Sequence, residues 1–341
     1  MKTKPYVSVG MPVLNGENYL SVALDSLLGQ TFEDFELIIC DNGSTDRTQE
    51  ICRAYEARDA RIRYYRNDQN IGGAANYNRV LHLSSGKYFK WMAHDDACSP
   101  RFLESCVDML DRDSSVVLCF THTRYIDALG GKLRDISSPL NFHSTSPHVR
   151  FASIISVSYR KHGCTEVFGL HRSEILKRVS LPPYTHGDRI MLAALSLYGR
   201  FQEIPECLFC KREHGERTIR DPTGTNGSAR RGLGRWIGYG PLPRIEWYDP
   251  SMKGRIVFPE FRRILEQHAA IRKAPLSVSE RVWCYTRLAD GFARNSAFAS
   301  RDVILALEAG IRRLWPSGNG PDIELGRAKA MRSPENKAST K

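Results

Sequence analysis

Residues Lys87–Pro100 read KYFKWMAHDDACSP, and the fold turns on how this stretch is read. The apolar, aromatic run of Tyr88, Phe89, Trp91 and Met92 has the composition of a buried strand. It breaks at His94-Asp95-Asp96. Ser99-Pro100 then opens an amphipathic helix, with proline at a first-turn position where its missing N–H costs nothing. Open α/β sheets hold ligands just outside the carboxyl ends of their strands. Two adjacent carboxylates there repel each other unless a cation or hydrogen-bond donors stabilise them. A hard divalent ion that bridges substrate phosphates is held by one or two such carboxylates. Alone, the pair reads equally well as an acidic loop capping the next helix.

Working outward, the same unit recurs. Val7 to Val9 is a short strand that stops at Gly10-Met11-Pro12, with turn chemistry at Asn15-Gly16. Tyr19, Leu20, Ala23, Leu24, Leu27 and Leu28 then follow at helical spacing and Gly29 closes the helix. A second strand, Phe35 to Cys40, ends in Asp41-Asn42-Gly43-Ser44-Thr45-Asp46, where Asp46 can cap a helix from Arg47 to Arg58. Arg61 to Arg66 reads as a third strand, and Asn70-Ile71-Gly72-Gly73 as a turn into another helix. After the opening stretch come a helix over Phe102–Leu110 and a strand over Val116–Phe120. This βαβαβαβαβ series predicts an α/β fold, a mostly parallel twisted sheet flanked by helices. Right-handed crossovers align the carboxyl ends along one edge, so Pro12, Asp41 and Asp95 are expected to share one cleft.

From Arg124 to Arg150 the pattern loosens. Gly130-Gly131 reads as a hairpin turn, and the Ser, Pro and His residues as a substrate-lining loop. Phe151 to Val157 is apolar again, Glu166 to His171 reads as a strand, and Asp188 precedes a helix that closes at Gly199. Phe201–Ile204 and Cys207–Arg212 read as two strands leading to His214. Pro241 and Pro243 mark a break before helical stretches over Phe261–Arg272, Ser279–Phe292 and Asp302–Trp315. The expected division is 1–122 and 123–220 as two halves of one domain, a helical C-terminal extension over 241–316, and a disordered tail over 317–341.

Composition narrows the function. The 341 residues carry a net charge of +11, which suits an acidic partner such as nucleotide phosphates or an anionic membrane surface. Zinc-finger spacings, RNP-type aromatic motifs and dense Lys/Arg tracts are lacking, so no nucleic-acid partner is expected. The nine cysteines read as scattered, without CxxC or any paired zinc-ligand spacing, and neither a disulfide framework nor structural zinc is expected. With no signal-peptide pattern after Met1 and no bilayer-length apolar run, a cytoplasmic protein is expected.

Four pieces, VSVGMPVLNGENYL, IICDNGSTDRT, NIGGAANYNR and WMAHDDACSPRFLE, resemble in order and spacing the family 2 glycosyltransferases of GT-A fold, over about the first 215 residues. The resemblance implies an inverting transfer from a nucleoside-diphosphate sugar to a carbohydrate or lipid-linked acceptor. It makes 1–122 the donor half and 123–220 the acceptor half. It places Asp41 on the nucleobase or ribose, Asp95 and Asp96 on a Mg²⁺ or Mn²⁺ ion at the diphosphate, and Asp188 as the base. His214 becomes a candidate for the metal or diphosphate, and Pro12, Asn15 and Asn70 line the donor side. In the family an acid usually stands two residues before Asp95, where this chain has Ala93 with His94 between. The base usually follows a glutamate, where this chain has Gly187.

Alternatives stand beside these assignments. Asp188 also reads as a plain helix cap, and Asn70 and Asn76 as ties for their loop and helix. Arg66 and Lys90 read as phosphate contacts or as solvated cations. His122, His143, His162 and His186 read as surface or packing residues. A nucleotidyltransferase would show a Gly- and basic-rich loop after the first strand, which MPVLNGENYL lacks. A dinucleotide oxidoreductase would show GxGxxG after a strand. A non-catalytic sugar-nucleotide or membrane-surface module of the same fold remains the second reading. The basic, aromatic C-terminal helices read either as a packed cap or as a peripheral contact with the inner membrane face.

Overall fold

The computed structural model describes residues 4–157, 163–179, 181–184, 186–215, 245–253, 255–296, 299–304 and 306–307. Its first half runs β1 (Val7–Val13), α1 (Leu20–Leu28), β2 (Phe35–Asp41), α2 (Thr48–Arg58), β3 (Ile62–Arg66), α3 (Gly73–Leu83), β4 (Tyr88–Trp91), β5 (Ala97–Cys98) and α4 (Phe102–Arg112). There follow β6 (Val116–Ile126), β7 (Lys132–Ile136), α5 (Pro147–Ser156), β8 (Leu170–Arg172), α6 (Ser173–Val179), α7 (Gly187–Ser196) and β9 (Arg200–Arg212). Beyond these lie α8 (Ile245–Tyr248), α9 (Pro259–Lys273) and α10 (Val278–Arg294). Among the described residues the strands form one sheet of order β3-β2-β1-β4-β8-β6-β9-β5, with β7 paired to β6. β3, β2, β1 and β4 are parallel, while β8 runs antiparallel to both β4 and β6.

Strand alternation divides the core into two layers, because successive side chains point to opposite faces. Leu37, Ile39, Tyr88 and Met92 join α1, α2 and α4 on one face. Ile38, Cys40, Phe89 and Trp91 join α3, α5 and α7 on the other, with Ile271 of α9 and Cys284 and Leu288 of α10. The packed-cap reading of the C-terminal helices therefore holds for these buried positions. The helix expected over Asp302–Trp315 is described only as far as Leu307, and residues 317–341 lie outside the described residues.

Several boundaries moved. β1 does not stop at Gly10 but runs through Pro12 to Val13. Gly10 is needed there, since a Cβ would lie 2.7 Å from both Phe89 and Val80. Pro100 lies ahead of α4 rather than in its first turn, and the Leu103 N–H is capped by Gln30 Oε1 at 3.0 Å. The Glu166–His171 stretch is a 3₁₀ turn (Thr165–Phe168) followed by the short β8. The two strands expected near residues 201 and 207 are one strand, β9, with its register against β6 shifting at Pro205-Glu206, where proline offers no N–H to the ladder. The hairpin at Gly130-Gly131 is present, closed by the Asp127 N–H on the Gly131 carbonyl at 2.8 Å.

Candidate active site

The parallel register sets the floor of the cleft. Val13 pairs with Asp41, and Met92 N–H donates to the Gly10 carbonyl at 2.9 Å, so the carboxyl ends of β1, β2 and β4 stand side by side. Pro12 is a buried strand residue one position short of that edge. The loops beyond the edge lock together. Asn15, at φ 51°, donates its N–H to Ser44 Oγ at 2.9 Å, and its Oδ1 accepts from Thr45 N–H at 2.9 Å. Gly16 N–H donates to Thr48 Oγ1 at 2.8 Å, and a Cβ on Gly16 would lie 2.8 Å from the His94 ring. Asp46 accepts from Thr48 N–H at 3.0 Å, so it caps α2 from one position outside the expected place.

Asp41 is fully buried and receives three donors. Its Oδ2 accepts from Tyr64 OH at 2.7 Å and Arg66 Nη1 at 2.5 Å, and its Oδ1 accepts from Ser44 N–H at 2.8 Å. The pairing of Arg66 with Asp41 answers the question left open for that arginine. Next to it, Asn42 Nδ2 donates to Asn70 Oδ1 at 2.8 Å, while Asn42 Oδ1 accepts from Asn67 Nδ2 at 2.8 Å and Ile71 N–H at 3.0 Å. Asn76 Nδ2 donates to the Cys40 carbonyl at 2.7 Å. Asn70 and Asn76 do tie down this loop. Asn42 and Asn67 were not singled out in the sequence, although the DN pair after a strand was visible there.

The acid motif divides its labour. Asp95 Oδ2 lies 3.0 Å from His214 Nε2, and the two side chains are 16% and 7% exposed. Burial alone raises the Asp95 carboxyl, but His94 and His214 outweigh it and hold the group below the usual carboxylate range. Asp96 is buried, and its Oδ1 accepts from the Arg212 N–H at 2.8 Å, pinning the end of β9 beneath the motif. Arg212 Nε donates to the Asp95 carbonyl at 2.9 Å, and its guanidinium lies over the Tyr19 ring at 4.8 Å. Tyr19 in turn packs on His214, with ring centroids 4.7 Å apart. Tyr19 and Arg212 therefore belong to the site; in sequence both looked like ordinary helix and strand positions.

No group of three His, Cys, Asp or Glu side chains that could hold a metal occurs among the described residues. Asp95 with His214 is instead the kind of partial site that suits a divalent ion whose remaining ligands are phosphate oxygens and water. Lys90 is neither a phosphate contact nor solvated. It is fully buried, donates to the Phe168 carbonyl, and lies 4.2 Å and 4.8 Å from the Phe102 and Phe209 ring centroids.

Asp188 stands apart, in the first turn of α7. Its Oδ1 accepts from the Arg189 N–H at 2.7 Å, and no hydrogen bond or ion pair joins it to Asp95 or His214 among the described residues. The glycine before it has a steric cause, since a Cβ on Gly187 would lie 2.5 Å from the Pro182 carbonyl oxygen. No glutamate fits there.

A buried strand-end aspartate and a His-paired acid motif therefore stand at one edge of a mixed, largely parallel α/β sheet. The chain belongs to glycosyl transferase family 2, whose model matches residues 8–179. An uncharacterized glycosyltransferase of Methanocaldococcus jannaschii is 29% identical over 178 residues, 52% of this chain and 59% of that protein. The chondroitin synthase of Escherichia coli is 30% identical over 224 residues, 64% of this chain and 30% of the synthase. The chain thus spans less than two thirds of the length of either relative. The structure of S. aureus TarS 1-349 in complex with UDP is similar with a TM-score of 0.56 at 16% identity, covering 85% of this chain and 72% of that one. The fold is that of the GT-A glycosyltransferases.

Proposed function

We propose that this glycosyltransferase uses a nucleoside-diphosphate sugar and a divalent ion, and transfers the sugar with inversion to an acceptor hydroxyl in polysaccharide or glycoconjugate synthesis. The observation that carries the reading is Asp95, paired to His214 at the same sheet edge as the buried Asp41. Asp41 and the asparagine cluster shape the nucleoside end of the pocket, and the UDP held by the similar TarS structure supports that choice of ligand. Asp95 and His214 would hold Mg²⁺ or Mn²⁺ against the diphosphate, with Asp96 keeping the motif seated on β9. The ion supplies Lewis-acid neutralisation of the charge that develops on the leaving diphosphate. Asp188 takes the proton of the acceptor hydroxyl while that oxygen attacks the anomeric carbon opposite the leaving group. One displacement inverts the centre. On this reading residues 1–122 serve the donor and 123–220 the acceptor.

Phe261, Leu265, Val282 and Trp283 are exposed on α9 and α10, on a chain of net charge +11. They support a peripheral contact with an anionic membrane surface and a lipid-linked acceptor. We read the setting as cytoplasmic, where thiols stay reduced.

Calorimetry of UDP-, GDP- and dTDP-sugars with and without Mn²⁺, on wild type and Asp95→Ala, tests the core of this reading. Metal-dependent binding of one nucleotide sugar, lost in Asp95→Ala, is the expected result and names the base. Binding indifferent to metal and substitution removes Asp95 from the ion. No binding by the wild type overturns the donor site.

A further inference from the structure

Trp247 and Tyr248 of α8 come from far along the chain, yet they sit on the turn that leads into α3. A Cβ on Gly73 would lie 2.9 Å from the Trp247 ring, and one on Gly72 would lie 2.4 Å from the Tyr248 carbonyl oxygen. Gly72 also has φ +94°, a conformation that costs glycine nothing and other residues a good deal. The Trp247 and Tyr248 rings meet edge-on with centroids 4.8 Å apart. The turn beneath them is wired to the nucleoside end of the pocket. Gly72 N–H donates to Asn70 Oδ1 at 2.8 Å, and Ile71 N–H donates to Asn42 Oδ1 at 3.0 Å. Asn42 directly follows the buried Asp41.

We infer that Trp247 is a positioning residue for the donor: its ring clamps the Asn70–Gly73 turn against the Asp41–Asn42 strand end. The inference rests on the donor-site reading above. Loosening the clamp disturbs the groups that face the nucleoside, and leaves the acid motif and Asp188 where they are. Its effect therefore falls on donor affinity and spares the chemical step.

The test compares Trp247→Ala, Trp247→Phe, Gly73→Ala and, as a control on an exposed apolar side chain of α1, Val22→Ala. Donor KM, kcat and the Kd for the free nucleoside diphosphate are measured for each. Trp247→Ala is expected to raise KM and Kd at least tenfold with kcat changed less than twofold. Trp247→Phe recovers most of the loss and Val22→Ala matches wild type. An unchanged KM, or a fall in kcat alone, overturns the inference. If Trp247→Ala does not fold, Gly73→Ala carries the same expectation, since its methyl displaces the ring. Amide exchange at Ile71 and Gly72 needs no ligand and separates the two readings. It should accelerate at least tenfold in Trp247→Ala even if the wild type binds no nucleotide; unchanged exchange refutes the clamp.

Discussion

Asp188 and Asp95 are both carboxylates beside a histidine-containing stretch, but their surroundings assign them different work. Asp95 is fixed by His214 and Arg212, whereas among the described residues Asp188 accepts from the neighbouring Arg189 N–H. A carboxylate at a helix start can take a proton. Asp188→Asn keeps the helix-start hydrogen bond and removes the base, so turnover should fall by about 10²–10⁴-fold. Nucleoside-diphosphate affinity measured by calorimetry should stay at the wild-type value. Equal turnover in the variant would return Asp188 to a capping role. Lys90 shows the limit of reading single residues. A lysine in YFKW looks solvated or phosphate-facing, and only the aromatic walls of Phe102 and Phe209 reveal it as a core residue.

At the scale of elements, β1 and β8 carry constraints that can be measured. Gly10 lets Phe89 and Val80 close over β1, and Gly10→Ala should cost about 1–3 kcal/mol of unfolding free energy by overpacking, read in urea melts. On β8, His171 is buried against Trp91, with ring centroids 5.7 Å apart, and its Nε2 lies 3.0 Å from the Val167 carbonyl oxygen. Burial, helped by the neighbouring Lys90, pushes its pKa down to about 4. A depressed histidine pKa means that the neutral ring is the one the fold stabilises. Its contribution is complete above the unfolded value near 6.5 and is lost as pH falls toward 4, roughly 3 kcal/mol in all. His171→Gln, which keeps a neutral donor, should flatten the pH dependence of stability between those limits. A slope identical to wild type would move the effect to another group.

For the whole molecule, the two core layers determine which thiols water can reach. Contrary to the expectation of no CxxC, Cys207 and Cys210 form such a pair on β9; both are partly exposed, and the other cysteines are buried. Burial raises the pKa of both β9 thiols, so even these should react slowly. Titration with a thiol reagent at neutral pH should find at most these two in the native protein and all nine in guanidinium. Rapid reaction of more than two would contradict the packing of the sheet.

The sequence by itself determined the α/β class, the parallel strands and the strand-end acids. Period-2 and helical spacing are local, and a buried parallel strand writes itself as an apolar run ending in polar residues. The four motif blocks carried the family for the same reason: each is a contiguous stretch. Tertiary structure alone decided what meets across distance. It joined β9 from two expected strands, turned Asp96 toward the Arg212 N–H, set Tyr19 against His214 and seated Trp247 on Gly73. These contacts join residues far apart in the chain, and their geometry comes from sheet order and crossover packing, which no local spacing encodes.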